Sequence, residues 1–158
     1  MRYIQGEKLA RAETVTLMNM CMVYDGTRVL VQNRVSKDWP GITFPGGHVE
    51  GGEAFTDAVI REVFEETGLK ISEPKLCGVK DWCDDEKTRS IVLLYKTDKF
   101  EGTLTPSDEG DVFWVELSDF LSLNLSRGME KLISVFLKDD VSEEFFFKEN
   151  GNWVEILK

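Results

Sequence analysis

The stretch Gly47–Leu69, GHVEGGEAFTDAVIREVFEETGL, decides how this chain is interpreted. Within it, Glu62, Glu65 and Glu66 are spaced i, i+3 and i+4, which places three carboxylates on one side of a helix. Like charges this close repel one another unless something neutralises them. A hard cation such as Mg²⁺, which prefers oxygen ligands, would neutralise them, so the spacing points to a metal site.

The apolar pattern around these glutamates predicts a helix from Phe55 to Thr67, ended by a left-handed cap at Gly68. Ala54 falls at the predicted N-cap and offers no side-chain acceptor to the first-turn amides. At 3.6 residues per turn, the three glutamates lie toward the apolar side of this helix, which comprises Phe55, Ala58, Val59 and Val63. Because partly buried like charges are costly unless paired or metal-bound, a metal-binding face is favoured over the alternative, a solvated acidic helix.

The rest of the chain predicts a mixture of strands and helices without a strict βαβ alternation, which favours an α/β or α+β fold. A second helix is predicted at Arg127–Leu137, and Asp84–Arg89 is predicted to be a polar loop. Strands are predicted at Val15–Tyr24, Arg28–Asn33, Ile42–Phe44, Leu76–Trp82, Ser90–Thr97 and Val112–Leu117, followed by a hairpin of Glu144–Phe147 and Trp153–Leu157 with Asn150-Gly151 as its turn.

The stretch resembles the Nudix box, a motif with glycines near both ends around a fixed set of glutamates and one arginine. Every fixed position is filled, by Gly47, Glu53, Arg61, Glu62, Val63, Glu65, Glu66, Gly68 and Leu69. The chain from about Glu13 to Leu137 also resembles a small MutT-type Nudix domain. The resemblance implies one Nudix hydrolase domain over residues 1–158, of α/β (α+β) class, with a mixed β-sheet sandwiched between α-helices.

Composition limits the classes of partner. The formal net charge of −10 argues against a nucleic-acid duplex or an anionic membrane surface, since both attract a basic face. A small nucleotide stays compatible, because a bound metal inverts the local charge. Three cysteines without a CxxC spacing argue against a disulfide framework or a zinc site. With no stretch of signal-peptide or membrane-spanning character, we expect a cytoplasmic protein. The resemblance implies a monomer or homodimer, since the family includes both.

The resemblance assigns roles within the box. Nudix hydrolases cleave a nucleoside diphosphate linked to another moiety, using Mg²⁺ (Mn²⁺ as a substitute) and a water molecule. By this resemblance Glu65 and Glu66 are metal ligands, Glu62 is a ligand or the general base, and the Gly46 carbonyl is a further ligand.

Two further assignments follow from the same resemblance. Glu53 is expected to pair with Arg61 and hold the loop in shape, with an electrostatic role near the metal as the alternative. Outside the box, Glu109 resembles an additional acidic metal ligand, with Asp108 as the alternate choice and a solvated acidic turn as the competing interpretation.

The substrate side is predicted from three residues. Arg34 could bind a phosphate through its forked donors, Phe44 resembles a residue lining the purine pocket of MutT, and Asn124 lies near the place of an amide that reads a modified guanine. Further aromatic candidates are Trp39, Trp82 and Trp114. The resemblance implies a nucleoside triphosphate pyrophosphohydrolase, with 8-oxo-dGTP as an example substrate. The alternatives are an ADP-ribose or nucleotide-sugar pyrophosphatase and, less favoured because no box glutamate is missing, a non-catalytic Nudix-fold regulator.

Overall fold

A computed structural model describes residues 3–4, 7–8, 13–83 and 88–158. The helices are α1 (Phe55–Thr67) and α2 (Met129–Leu137), and a 3₁₀ turn spans Leu117–Ser122. The strands are β1 (Tyr3–Ile4), β2 (Glu7–Lys8), β3 (Thr14–Asp25), β4 (Arg28–Arg34), β5 (Gly41–Thr43), β6 (Leu69–Ile71), β7 (Lys75–Cys83), β8 (Thr88–Thr97), β9 (Phe100–Gly102), β10 (Gly110–Glu116), β11 (Glu143–Glu149) and β12 (Asn152–Leu157).

The central sheet is mixed. Its strands follow the order β10-β4-β3-β8-β7-β11-β12, and β5 pairs with β4. Strand β3 runs parallel to β8, and β11 runs parallel to β7, while the other described neighbours in this sheet are antiparallel. Two small pairs, β1–β2 and β6–β9, lie outside it.

The two helices cover opposite faces of this sheet. Because side chains alternate along a strand, Met20 and Met22 of β3 pack into the cluster that contains Phe136 of α2, whereas Cys21 joins the cluster that contains Val59 of α1. This arrangement confirms the predicted class, a mixed sheet between helices. None of the described helices has the length and apolar character needed to cross a bilayer.

Local predictions hold where a periodic pattern or a turn motif supported them. Helix α1 has the predicted bounds, and Gly68 caps it in the left-handed region (φ 74°), donating its N–H to the Phe64 carbonyl at 2.8 Å. Ala54 is the N-cap and makes no side-chain hydrogen bond, as expected.

The pair β6–β9 and the 3₁₀ turn were not predicted, since three-residue strands are too short to show a period. Of the predicted polar loop, residues 84–87 lie outside the described residues, and Thr88 already begins β8.

The predicted C-terminal hairpin is present and belongs to the central sheet. Asn150 (φ 51°) and Gly151 (φ 81°) both adopt positive φ, as the Asn-Gly turn requires. Strand β11 pairs with β7 from Glu143↔Val79 to Phe146↔Trp82, which brings side chains of the hairpin onto the face covered by α2. That the whole chain forms one domain stays a prediction.

Candidate active site

The three glutamates of α1 have different environments. Glu66 is buried (3% exposed) beside Val63, and Glu62 is mostly buried, but the Glu65 side chain is 56% exposed. Phe55 is also exposed. The prediction that all these residues lie toward the apolar side is therefore wrong for Glu65 and Phe55, because the helix wheel cannot show how far the neighbouring sheet extends over the helix.

Glu66 is at the centre of the site. Its Oε2 accepts a hydrogen bond from the Gly46 N–H at 2.9 Å, and the Glu109 carboxylate lies next to it. Burial raises the pKa of Glu66 to about 8; the Gly46 bond opposes this shift, and the Glu109 and Glu62 carboxylates add to it. Two adjacent carboxylates of this kind need either a shared proton or a cation.

Glu109 is placed there by the pairing of β10 with β4. Gly110 lies opposite Arg34, and the Val35 N–H donates to the Glu109 carbonyl at 3.2 Å. Arg34 Nη1 is 3.8 Å from Glu109 Oε2, so Arg34 lies beside the carboxylates. The fold thus brings Arg34, Glu109, Gly46 and Glu66, which are distant in sequence, into one site.

Arg61 binds three carboxylates of the box. It makes a bidentate pair with Glu53 (Nε–Oε1 2.8 Å, Nη2–Oε2 2.9 Å), which is the pairing that the sequence predicts. Its Nη1 also donates to Glu62 Oε1 at 2.8 Å and to Glu65 Oε2 at 3.2 Å. The hydrogen bonds from Arg61, together with one from the Glu50 N–H, lower the pKa of Glu53 to about 2. This network, which we call the Arg61 clamp, fixes the exposed side of the site.

The Gly46-Gly47 pair permits close approach between the loop and both of its neighbours. The Asn19 N–H donates to the Gly47 carbonyl at 2.8 Å, and a Cβ on Gly46 would overlap the Asn19 backbone. A Cβ on Gly47 would lie 2.6 Å from Glu62 Cδ. The Asn19 side chain, buried, accepts from the Gly47 N–H at 3.4 Å. Sequence reasoning missed Asn19, although one amide within an apolar strand could have drawn notice.

The donor set fits a hard cation only in part. Among the described residues, no three acidic, histidine or cysteine side chains converge closely enough to hold an ion as they stand. Glu66 and Glu109 nevertheless supply adjacent, partly desolvated oxygens, and the Glu62 carboxylate packs against Gly47 nearby. Glu62 and Glu65 would have to release Arg61 in order to join them. The buried Glu66 carboxylate and the adjacent, more exposed Glu109 carboxylate are the charges that a divalent ion would neutralise.

Of the other two predicted substrate-binding residues, Phe44 is buried in the core, and Asn124 lies next to Gly41, which pairs with Arg34. Phe44 is a core residue (1% exposed), stacked on Phe120 and edge-on to Phe136, each at 5.2 Å between centroids. Its predicted place in a base pocket is wrong for this arrangement, because no base can reach the ring. The Asn124 side chain is exposed, and its carbonyl accepts from the Ile42 N–H at 2.8 Å.

Trp39 is an aromatic residue that the structure places beside the site. Its ring centroid is 5.7 Å from the Arg34 guanidinium and also 5.7 Å from the Lys80 ammonium. Its indole N–H donates to the Arg127 carbonyl at 2.9 Å, which fixes the ring against the segment before α2. Trp114 instead packs on Phe100 in the α1-side core.

Comparison with known proteins agrees with this geometry. The NUDIX domain model matches residues 18–136. The uncharacterized Nudix hydrolase YvcI of Bacillus subtilis is 30% identical over 124 residues, covering 75% of this chain and 77% of the relative. The ADP-ribose pyrophosphatase of Methanocaldococcus jannaschii is 31% identical over 117 residues, covering 70% and 66%. The MutT protein of Bacillus halodurans superposes with a TM-score of 0.75 at 24% identity, over 90% of this chain and 97% of that one. The chain therefore belongs to the Nudix hydrolase family of pyrophosphohydrolases, whose members generally use divalent metals and act on small-molecule nucleotides.

Proposed function

We propose that the protein is a Mg²⁺-dependent nucleoside triphosphate pyrophosphohydrolase acting on purine nucleotides, including oxidised ones such as 8-oxo-dGTP. The observation that supports this most is the buried Glu66 carboxylate with the exposed Glu109 carboxylate next to it and Arg34 beside the two. Bound Mg²⁺ would neutralise the carboxylates and supply positive charge for the substrate phosphates. Arg34 supplies a fixed positive charge for a phosphate oxygen.

In this proposal Glu66 and Glu109 hold the metal, Glu65 and the Gly46 carbonyl complete the set, and Glu62 is either a further ligand or the general base. Mn²⁺ could take the same place, since it accepts the same oxygen ligands. When bound, the metal would supply Lewis acidity and lower the pKa of the attacking water. A water oxygen bonds to phosphorus as the phosphoanhydride P–O bond breaks, pyrophosphate leaves, and the monophosphate remains. In the role of general base, Glu62 accepts the proton of the water, and its hydrogen bond from Arg61 Nη1 keeps that carboxylate in position.

The second candidate is an ADP-ribose or nucleotide-sugar pyrophosphatase. It is favoured by the similarity to the Methanocaldococcus jannaschii ADP-ribose pyrophosphatase. Both reactions cleave a phosphoanhydride bond and would use the same carboxylates, so the difference lies in the groups that flank the diphosphate. A purely regulatory role is less supported, because all box glutamates are present and Arg61 binds three of them.

A substrate panel tests the proposal. The protein is incubated with Mg²⁺ and dGTP, 8-oxo-dGTP, ATP or ADP-ribose, and pyrophosphate, nucleoside monophosphate and ribose phosphate are quantified. We expect pyrophosphate and monophosphate from the purine triphosphates. Cleavage of ADP-ribose to AMP and ribose phosphate, with the triphosphates intact, would establish the second candidate instead. No turnover of any compound would contradict both.

Two further predictions from the sequence belong to this proposal: a cytoplasmic location, and a monomeric or homodimeric state. Size-exclusion chromatography with light scattering at the assay concentration distinguishes an 18.0 kDa monomer from a dimer. Fractionation of cells that express the chain checks the location.

A further inference from the structure

A second cluster of buried charges lies on the α2 side of the sheet, formed by Lys80 of β7 and Glu144 of β11. The two residues are directly opposite in the parallel register, with Lys80 Nζ 3.1 Å from Glu144 Oε2. Glu144 is fully buried (0% exposed) and the Lys80 side chain is 10% exposed. Glu144 comes from the C-terminal hairpin, beyond the part of the chain that the family model matches.

Stability does not account for this pair. Burying two charges costs about as much as their attraction returns, and apolar residues of similar volume usually replace such pairs at little cost. The surroundings of the ammonium suggest another use. Lys80 Nζ is 4.8 Å from the ring centroid of Phe146 and 5.7 Å from that of Trp39, and both rings are half-buried. A Cβ on Gly128, at the start of α2, would lie only 3.0 Å from Nζ, so the backbone closes in on it as well.

The cluster is connected to the catalytic carboxylates through Trp39. Trp39 contacts Lys80 and also Arg34, whose guanidinium lies 5.7 Å from the ring centroid. Arg34 in turn lies 3.8 Å from Glu109, which adjoins Glu66. A nucleotide whose phosphates lie at Arg34 and the carboxylates therefore has its nucleoside within reach of Trp39. Lys80 is the charged group that such a nucleoside would meet beyond that ring.

We propose that Lys80 selects 6-oxopurine over 6-aminopurine nucleotides by donating a hydrogen bond to the keto oxygen of the base, and that Glu144 is the positioning residue that holds its ammonium. This rests on the proposed function above. An ammonium has three donors and no acceptor, so it complements the O6 and N7 acceptors of a guanine-type base. The amino group of adenine presents a donor at the same place and is disfavoured. Phe146 and Trp39 supply the apolar surface beside the base.

The test compares ITP with ATP. ITP has a 6-oxo group and a protonated N1, whereas ATP has a 6-amino group and an unprotonated N1, and the two are otherwise identical. We measure kcat and KM for both substrates with Mg²⁺, for the wild type and for Lys80→Met/Glu144→Met, which removes both charges together and so leaves neither unpaired. We expect the wild type to favour ITP in kcat/KM by about tenfold or more, the discrimination typical of one good base contact. In the double variant, kcat/KM for ITP should fall at least about tenfold more than that for ATP, chiefly through KM.

The matched control is Lys99→Met/Glu73→Met, which removes an exposed ion pair with a 3.7 Å separation. Its ITP-to-ATP ratio should equal that of the wild type, and thermal melts confirm that both variants fold. An equal loss on both substrates, or an unchanged ratio in the Lys80 variant, would overturn the inference. So would a wild-type ratio near one, which leaves the proposed function standing. If ADP-ribose is cleaved and no triphosphate is, both proposals fall.

Discussion

Two buried glutamates, Glu66 on α1 and Glu144 on β11, look alike locally. Their exposed fractions are 3% and 0%, and each has a second carboxylate beside it, Glu109 in one case and Glu155 in the other. Burial raises the pKa of both side chains, and the neighbouring carboxylate adds to the shift. On burial and charge alone the two positions would be hard to tell apart.

What differs is the source of the compensating charge. Glu144 faces the ammonium of Lys80 at 3.1 Å, so its cation is part of the protein. Glu66 accepts a hydrogen bond from the Gly46 N–H, and its adjoining carboxylate has Arg34 only at 3.8 Å. A buried carboxylate that faces a cationic side chain of the same protein already has its compensating charge, whereas one without such a close partner suits a site for an external ion.

The strongest test of this contrast is Glu66→Gln. The amide can still accept the Gly46 N–H but does not bind Mg²⁺ as a carboxylate does, so we expect turnover of every substrate to fall by about 100-fold or more. The melting temperature in metal-free buffer should stay or rise, and its increase on adding Mg²⁺ should disappear. In Glu144→Gln we expect lower stability while the Mg²⁺-induced increase persists. If Mg²⁺ raised the melting temperature of the two variants equally, Glu66 would not differ from Glu144 as a metal ligand.

Lys80→Met tests the other half of the comparison. It leaves Glu144 buried without its cation, so the free energy of unfolding should fall by at most about 3–5 kcal/mol, less to the extent that the carboxyl takes up a proton. In Lys80→Met/Glu144→Met most of that loss should be recovered, because no lone charge remains. Urea denaturation of both variants and the wild type at neutral pH measures the difference. A single variant as stable as the wild type would show that the ion pair does not compensate Glu144.

The sequence predicts those features of the two regions that local patterns determine, and it misses those that depend on tertiary contacts. Helix α1, its Gly68 cap and the Glu53–Arg61 pair were predictable because the periodic pattern and the box are local. Phe44 was misplaced because no local pattern says that its ring turns into the core against Phe120. The pairing of Lys80 with Glu144 depends on the register between β7 and β11, which only the tertiary fold sets.

A smaller effect is expected from Gly47→Ala, which probes how closely the loop contacts Glu62. The added Cβ would lie 2.6 Å from Glu62 Cδ and would push that flexible carboxylate away. We expect kcat to fall by about 10–100-fold through misplacement, with little change in stability. Gly51→Ala is the matched control, because a Cβ there meets nothing within 4 Å. Equal kinetics for the two variants would argue against a defined position for Glu62.

The smallest effect concerns Glu53, whose pKa shifts in the opposite direction from that of Glu66. Hydrogen bonds from Arg61 lower the pKa of Glu53 from the ordinary 4.5 to about 2. Because this pKa is lower in the folded state than in the unfolded state, ionised Glu53 stabilises the fold. This stabilisation is complete above pH 4.5 and is lost as the pH falls toward 2. In Glu53→Gln the side-chain amide does not titrate between pH 2 and pH 4.5, so this contribution is absent at every pH. The stability difference between it and the wild type, measured by urea denaturation at several pH values, should therefore be greatest above pH 4.5 and shrink toward pH 2.

Glu73→Gln serves as the control for this pH series, since Glu73 belongs to an exposed pair with Lys99 that contributes little. If the difference between Glu53→Gln and the wild type stayed constant from pH 7 to pH 2, the Arg61 clamp would not stabilise the Glu53 carboxylate selectively. A difference that shrinks would instead show that two carboxylates of the same box are compensated by different positive charges. Glu53 is kept ionised by an internal cation, while Glu66 is left to an external one.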